Sequence, residues 1–212
     1  MAKLGKTVDQ TTVWAAACAA YRLNDNEYLK VGVISNGRKS NKELVNELLA
    51  NTADITADDR EQGQIVREYI GKVATTAALR GTLDIWGKEM ARVTQLDQIE
   101  ASYDVNVIAS MPATYARYLD REKVHTRLAE TTGEYTACVG DKLELDVEVL
   151  DNKYSKKWAT YYTTVVDTEN RAWYFACRVG IKAGSQITIK GTVKRIQDRM
   201  VQLNRVRIKE KA

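Results

Sequence analysis

Leu143–Leu150 reads LELDVEVL, with Leu143, Leu145, Val147 and Val149 falling on one side and Glu144, Asp146 and Glu148 on the other. A period of two is what a strand needs when one face is buried and the other meets water. The same period continues downstream. A second strand is expected from about Lys157 to Val166, a third from Arg171 to Val179, a fourth from Ser185 to Ile196 and a fifth from Met200 to Lys209. Asp167 to Asn170, Gly180 to Gly184 and Gln197-Asp198-Arg199 supply the turns, and Asn152 to Lys157 (NKYSKK) a basic loop. Gly191 stands where a strongly bent strand needs a residue without a side chain. Five short antiparallel strands in about 70 residues, opened by a Val-Gly-Asp turn, predict a closed Greek-key barrel. The helix that commonly joins strands three and four of such a barrel is expected to be missing or very short.

Upstream the period becomes helical. Ser40-Asn41-Lys42-Glu43 is a capping box, followed by Leu44, Val45, Leu48 and Leu49 at helical spacing. Thr56 to Asp59 caps a longer helix whose apolar positions read as Ile65, Val66, Tyr69, Ile70, Val73 and Ala77. Gly81 breaks it. Further helices are expected over about Thr94 to Tyr103 and from Pro112, the latter with Tyr115, Tyr118 and Leu119 on one face. Val13 to Ala20 (VWAAACAA) reads as a buried helix rather than a secretory core, because it is short and weakly apolar. YLKVGVIS (Tyr28–Ser35) has strand-like content and suggests a hairpin arm, while DVNVIAS (Asp104–Ser110) is ambiguous. The expected class is therefore α+β: a mainly helical domain over 1–133, then a barrel of the oligonucleotide-binding (OB) type over 134–212. Gly133 to Gly140 is the expected linker.

Charge divides the chain in the same place. The net charge is +4 overall, too weak to argue for nucleic acid by itself. Residues 152–212 hold 14 Lys and Arg against four Asp and Glu, interleaved with aromatic residues. Cys18, Cys138 and Cys177 are far apart and His125 is the only histidine, so no metal site, cofactor or disulfide framework is expected. This sparse cysteine usage predicts a reducing cytoplasm, that of the host if the protein is viral. No apolar run approaches membrane-spanning length. Neither a GxxxxGK[ST] phosphate loop nor a GxSxG nucleophile elbow is present, and His125 sits in charged DREKVHTR, so no enzyme is expected.

VGDKLELDVEVLD (Val139–Asp151), WATYYTTVVDTENRAWYF (Trp158–Phe175), AGSQITIKGTVKRI (Ala183–Ile196) and MVQLNRVRI (Met200–Ile208) resemble OB-fold domains of bacteriophage replication and single-stranded-DNA-binding proteins. The resemblance covers roughly residues 136–212. It implies binding of single-stranded DNA without strong sequence preference, in replication, recombination or repair. RNA binding, protein docking and virion assembly are the alternatives for such a barrel. Binding of this kind takes cations for phosphates and aromatic faces for bases. Strand parity puts Ala159, Tyr161, Thr163 and Val165 inside, leaving Trp158, Tyr162 and Thr164 outside. Trp173 and Phe175 are expected in the core, and Tyr174 and Arg178 outside. Lys190 and Lys194 face out, and a bulge near Asn204 turns Arg205 and Arg207 outward. Lys153, Lys156 and Lys157 in one loop, with Arg195 and Arg199 at the last hairpin, complete the expected nucleic-acid-binding set. The near-neutral helical part is expected to carry homo-oligomer or replication-partner contacts.

Overall fold

The computed structural model describes residues 3–32, 37–197 and 199–210. The chain is α+β and divides into two compact units, Met1–Leu119 and Asp120–Ala212. That division falls inside a helix, ahead of the Gly133–Gly140 segment where the residue period changes.

The first unit is built around α1 (Gln10–Leu23), whose residues Val13 to Ala20 are all buried. Asp9 caps it by accepting from the Thr12 amide. The two expected capping boxes form. Ser40 and Glu43 start α2 (Asn41–Ala50), and Thr56 and Asp59 start α3 (Ala57–Leu79). Asp59 also pairs with Arg22 at 2.8 Å, tying the end of α1 to the start of α3. The buried stripe of α3 runs through Gly63, Val66, Ile70 and Ala74, and Ile65, expected on the apolar face, is exposed. The reason is the close crossing of α1. A Cβ on Gly63 would stand 2.8 Å from the Ala15 backbone nitrogen, so the contact line must pass through the one residue without a side chain. After Gly81 comes α4 (Ile85–Thr94).

Two further expectations fail in this unit, and one ambiguous segment takes a definite form. Thr94 to Tyr103 is not a helix: it turns into strand β2 (Gln98–Ala101), which pairs antiparallel with β1 (Lys3–Asp9). The ambiguous DVNVIAS segment is helical up to Ala109, within α5 (Ser102–Ala109). Burial of Ile99 and of Val105, Val107 and Ile108 explains both assignments, which local propensity alone does not resolve. Residues Tyr28 to Gly32 are irregular rather than a hairpin arm, and Val33 to Ser35 lie outside the described residues. Helix α6 (Met111–Ala129) places Pro112 in its first turn, as expected, and Tyr115 and Tyr118 meet Tyr69.

The second unit holds a closed five-stranded barrel compatible with the OB type. Its strands are β3 (Lys142–Ser155), β4 (Thr160–Asp167), β5 (Ala172–Cys177), β6 (Gln186–Gln197) and β7 (Met200–Glu210), in the closed order β3-β4-β5-β7-β6. The sheet is mixed rather than wholly antiparallel, because β5 and β7 run parallel over Ala172–Tyr174 and Met200–Gln202. The β6–β7 hairpin brings the chain back beside β5 in the same direction. No helix joins β5 to β6. The core contains Val147, Val149, Val165, Trp173, Phe175, Ile187, Ile189, Val193, Val201 and Leu203. Gly191 faces this core, where a Cβ would come 3.1 Å from Val206.

The β4–β5 turn is closed by a buried carboxylate. Asp167 accepts from the Trp173 indole N–H at 2.9 Å, the Arg171 Nε at 2.8 Å, and the backbone amides of Glu169 and Arg171. Tyr135 packs edge-on against Trp173, and its hydroxyl lies 2.7 Å from the Ala172 carbonyl and 2.8 Å from that of Arg199. Burial raises the pKa of that hydroxyl and keeps it a donor.

Trp173→Ala is expected to cost about 3–5 kcal/mol of stability, because it opens a core cavity and removes one donor from Asp167. Trp158→Ala, 64% exposed, is expected to change stability by less than about 0.5 kcal/mol. Urea denaturation of both variants checks the contrast. A second check uses the thiols. Burial pushes the Cys18 thiol up to about 12, whereas Cys138 is exposed. A chromogenic disulfide reagent at neutral pH is expected to modify Cys138 in the native protein and Cys18 only after unfolding.

Candidate nucleic-acid interface

The outward face of β4 and β5 follows from which residues the core takes. Thr163 and Val165 are fully buried, so Tyr162 and Thr164 point the other way. Trp173 and Phe175 are likewise inside, which turns Tyr174 outward. Tyr174 lies opposite Thr164, one diagonal step from Tyr162. The two rings are parallel, with an interplanar angle of 2° and centroids 5.9 Å apart. Burial, and secondarily the neighbouring Tyr162, raises the pKa of the Tyr174 hydroxyl, so the Tyr174 ring presents a neutral face near pH 7.

The register extends this pair into a band. A one-residue slip between Val149 and Asp151 reverses the facing of β3, so that Lys153 stands opposite Tyr162. On the other side Tyr174 neighbours Gln202 of β7, which lies opposite Arg195 of β6. A pocket of about 390 Å³ opens beside Tyr174, with Leu128, Ala172 and Met200 among its apolar lining and Arg195 and Arg199 as its cations. Gln197 and Gln202 add amide groups to it. Neither arginine has an ion-pair partner among the described residues.

The other expected site residues are distributed around the barrel. Lys156, Lys157 and Trp158 occupy the β3–β4 turn rather than a strand face, because β3 continues to Ser155 and β4 begins only at Thr160. Lys153 therefore belongs to β3 and not to a loop. The Lys157 ammonium lies 5.1 Å from the Trp158 ring centroid. Ala159, expected inside, is exposed with φ +46° and completes the turn. Arg178, expected on the strand beside Tyr174, falls in the bend after β5 ends at Cys177.

Lys190, Arg205 and Arg207 form a separate patch on β6 and β7 with Lys142 and Glu144. Arg205 takes φ +51°, which marks the expected irregularity near Asn204. Here the acidic side of β3 intervenes. Glu144 pairs with Lys190 at 2.7 Å and Lys209 at 3.6 Å, and the Lys190 hydrogen bond holds its carboxyl below the usual range. Lys194 is exposed on β6. Gln197, Met200, Gln202 and Leu128 were not legible as site residues. Gln202 lies on β7 directly beside Tyr174, a parallel pairing that alternation within one strand does not reveal.

Comparison with protein-family models, with curated proteins and with solved structures finds no match for this chain. Among the described residues there is no group of His, Cys, Asp and Glu placed to hold a metal ion, and no helix long and apolar enough to cross a membrane.

The two basic patches are separable by mutation. Arg195→Ala is expected to weaken oligonucleotide binding by about tenfold, and Lys190→Ala by no more than about twofold, because Lys190 already has Glu144 as its partner. Tyr174→Ala is expected to cost roughly 1–3 kcal/mol of affinity. Fluorescence anisotropy of a labelled single strand reads all three, and a larger loss at Lys190 than at Arg195 reverses the assignment.

Proposed function

We infer that the barrel is an OB-type, Greek-key module that binds single-stranded nucleic acid, with single-stranded DNA as its main ligand and little sequence preference. The observation that carries this reading is the parallel Tyr162–Tyr174 pair beside a pocket that contains Arg195 and Arg199. Every base has a π-face, so an outward pair of tyrosine rings accepts any base, and the two arginines beside it, without an ion pair among the described residues, accept phosphates. In an OB barrel the face of strands two and three and the loops after strands one and four form the binding groove. Here those are β4 and β5, the Lys156–Ala159 turn with Trp158, and the hairpin at Arg199. The protein then acts as a non-catalytic binding protein in replication, recombination or repair of a phage type, as its resemblance implies.

The chemistry of a stacking groove gives the discriminating experiment. Single-stranded DNA, duplex DNA and RNA of equal length are titrated at two salt concentrations. Single-stranded DNA is expected to bind more tightly than duplex, since a duplex hides the faces its bases offer to tyrosine. Contact with about four phosphates gives a slope of roughly −3 in log K against log salt. Equal affinity for duplex overturns the single-strand reading, and tighter RNA binding replaces DNA with RNA.

A further inference from the structure

The barrel carries a second cleft, of about 480 Å³, on its β6–β7 side. Lys142, Lys190, Arg205 and Arg207 line it against one acidic residue, Glu144. Glu144 is already engaged by Lys190 at 2.7 Å and by Lys209 at 3.6 Å. Lys142, Arg205 and Arg207 are exposed, and none of them has an ion-pair partner among the described residues. The cleft therefore keeps three uncompensated cations.

Concentrating them there works against the fold. The register places Lys190 directly opposite Arg207, and like charges facing each other across two strands are destabilising. From Lys190 to Thr192 β6 advances two residues while β7 runs three, from Arg207 to Asn204. That bulge holds Arg205 at φ +51°, a left-handed conformation that an arginine keeps only under constraint. Leu203 and Val206, three residues apart, both pack on the core, so the intervening Asn204 and Arg205 both turn away from it. Strain and like-charge crowding thus coincide on one exposed patch, which is where a polyanion would relieve the repulsion.

The lining narrows the class of polyanion. None of the described lining residues is aromatic, so an unpaired base finds no ring to stack on. A duplex hides its base faces and presents its phosphates, which cations alone can hold. The cleft also shares β6 and β7 with the surface beside Tyr174. Lys190 and Arg195 are five residues apart on β6, at most about 17 Å along an extended strand. We propose that the β6–β7 cleft holds the sugar–phosphate backbone of a duplex, so that the barrel's preferred ligand is a single strand that continues into duplex. The inference rests on single-strand binding at the tyrosine pair and adds a contact which that reading does not use.

Fluorescence anisotropy of the full-length protein tests it with a labelled single strand, the same strand extended into duplex at its 5′ or its 3′ end, and the duplex alone. In one polarity the extended strand is expected to bind about tenfold or more tightly than the single strand. Its slope of log K against log salt is expected to be steeper by about 2 to 3, as three phosphate contacts require. The double substitution Arg205→Gln with Arg207→Gln, both at exposed positions, is expected to bring the affinity ratio of extended to single strand close to one. Lys142→Gln, away from the bulge, is expected to lower that ratio about threefold. Arg195→Ala is expected to weaken both ligands together and leave the ratio as it is. The proposal is overturned if the duplex extension adds nothing in either polarity, or if the ratio survives the double substitution. If no single strand binds, the tyrosine reading fails and the duplex alone decides the cleft. Loss of duplex binding in the double variant then supports the cleft, and unchanged or absent duplex binding overturns it.

Discussion

A carboxylate taken out of water is tolerable only when hydrogen bonds replace its hydration, and Asp167 meets that demand with four donors. The consequence reaches well past one turn. The Asp167 carboxylate can be reached by the Trp173 indole only if Trp173 points inward, and that orientation fixes the parity of β5. Tyr174 must then face out, opposite Thr164 and beside Tyr162. Arg171 covers the same carboxylate and lies 5.7 Å from the Trp173 ring centroid. The outward tyrosine pair thus depends on a polar cluster on the opposite side of the sheet, through the pleat alone.

The basic composition of the C-terminal segment overstates the free positive charge. Glu144 partners both Lys190 and Lys209, Asp151 pairs with Lys153, and Arg171 belongs to the Asp167 cluster. Among the described residues Arg195, Arg199, Lys156 and Lys157 keep their charge free of an ion pair, as do Arg205 and Arg207 on the β6–β7 side. Sequence gives the sum of charges, whereas the register decides which of them cancel. The acidic alternation of β3, which looks unfavourable for a nucleic-acid-binding barrel, confines its effect to the β6–β7 side.

Much of the fold was readable because its signals are local. The alternation of Leu143–Val149 places four residues on one side of a strand whatever the rest of the chain does. The Ser40–Glu43 and Thr56–Asp59 boxes start their helices with side chains three residues apart. The failures share one cause, dependence on partners distant in sequence. β1 and β2 pair across about 90 residues. Ile65 loses the α3 interface to Gly63 only because α1 approaches so closely. The extension of β3 to Ser155 follows from its pairing with β4, where Tyr154 meets Tyr161 at 5.0 Å. Of the interface, the tyrosines were legible from parity, and Gln202 was not because it arrives by a parallel crossing.

That crossing is also the narrowest join in the ring. β5 and β7 pair over only three positions, Ala172–Tyr174 with Met200–Gln202, while β6 and β7 pair along most of their length. Tyr135 spans the same join, with its hydroxyl between the carbonyls of Ala172 and Arg199. Four of the six residues in the join, Ala172, Tyr174, Met200 and Gln202, also line the pocket beside Tyr174. The ring's clasp and its pocket are therefore one piece of surface. Occupancy of the pocket and closure of the barrel are thermodynamically linked, so a ligand seated across the clasp slows its fraying, and a frayed clasp has no pocket to offer.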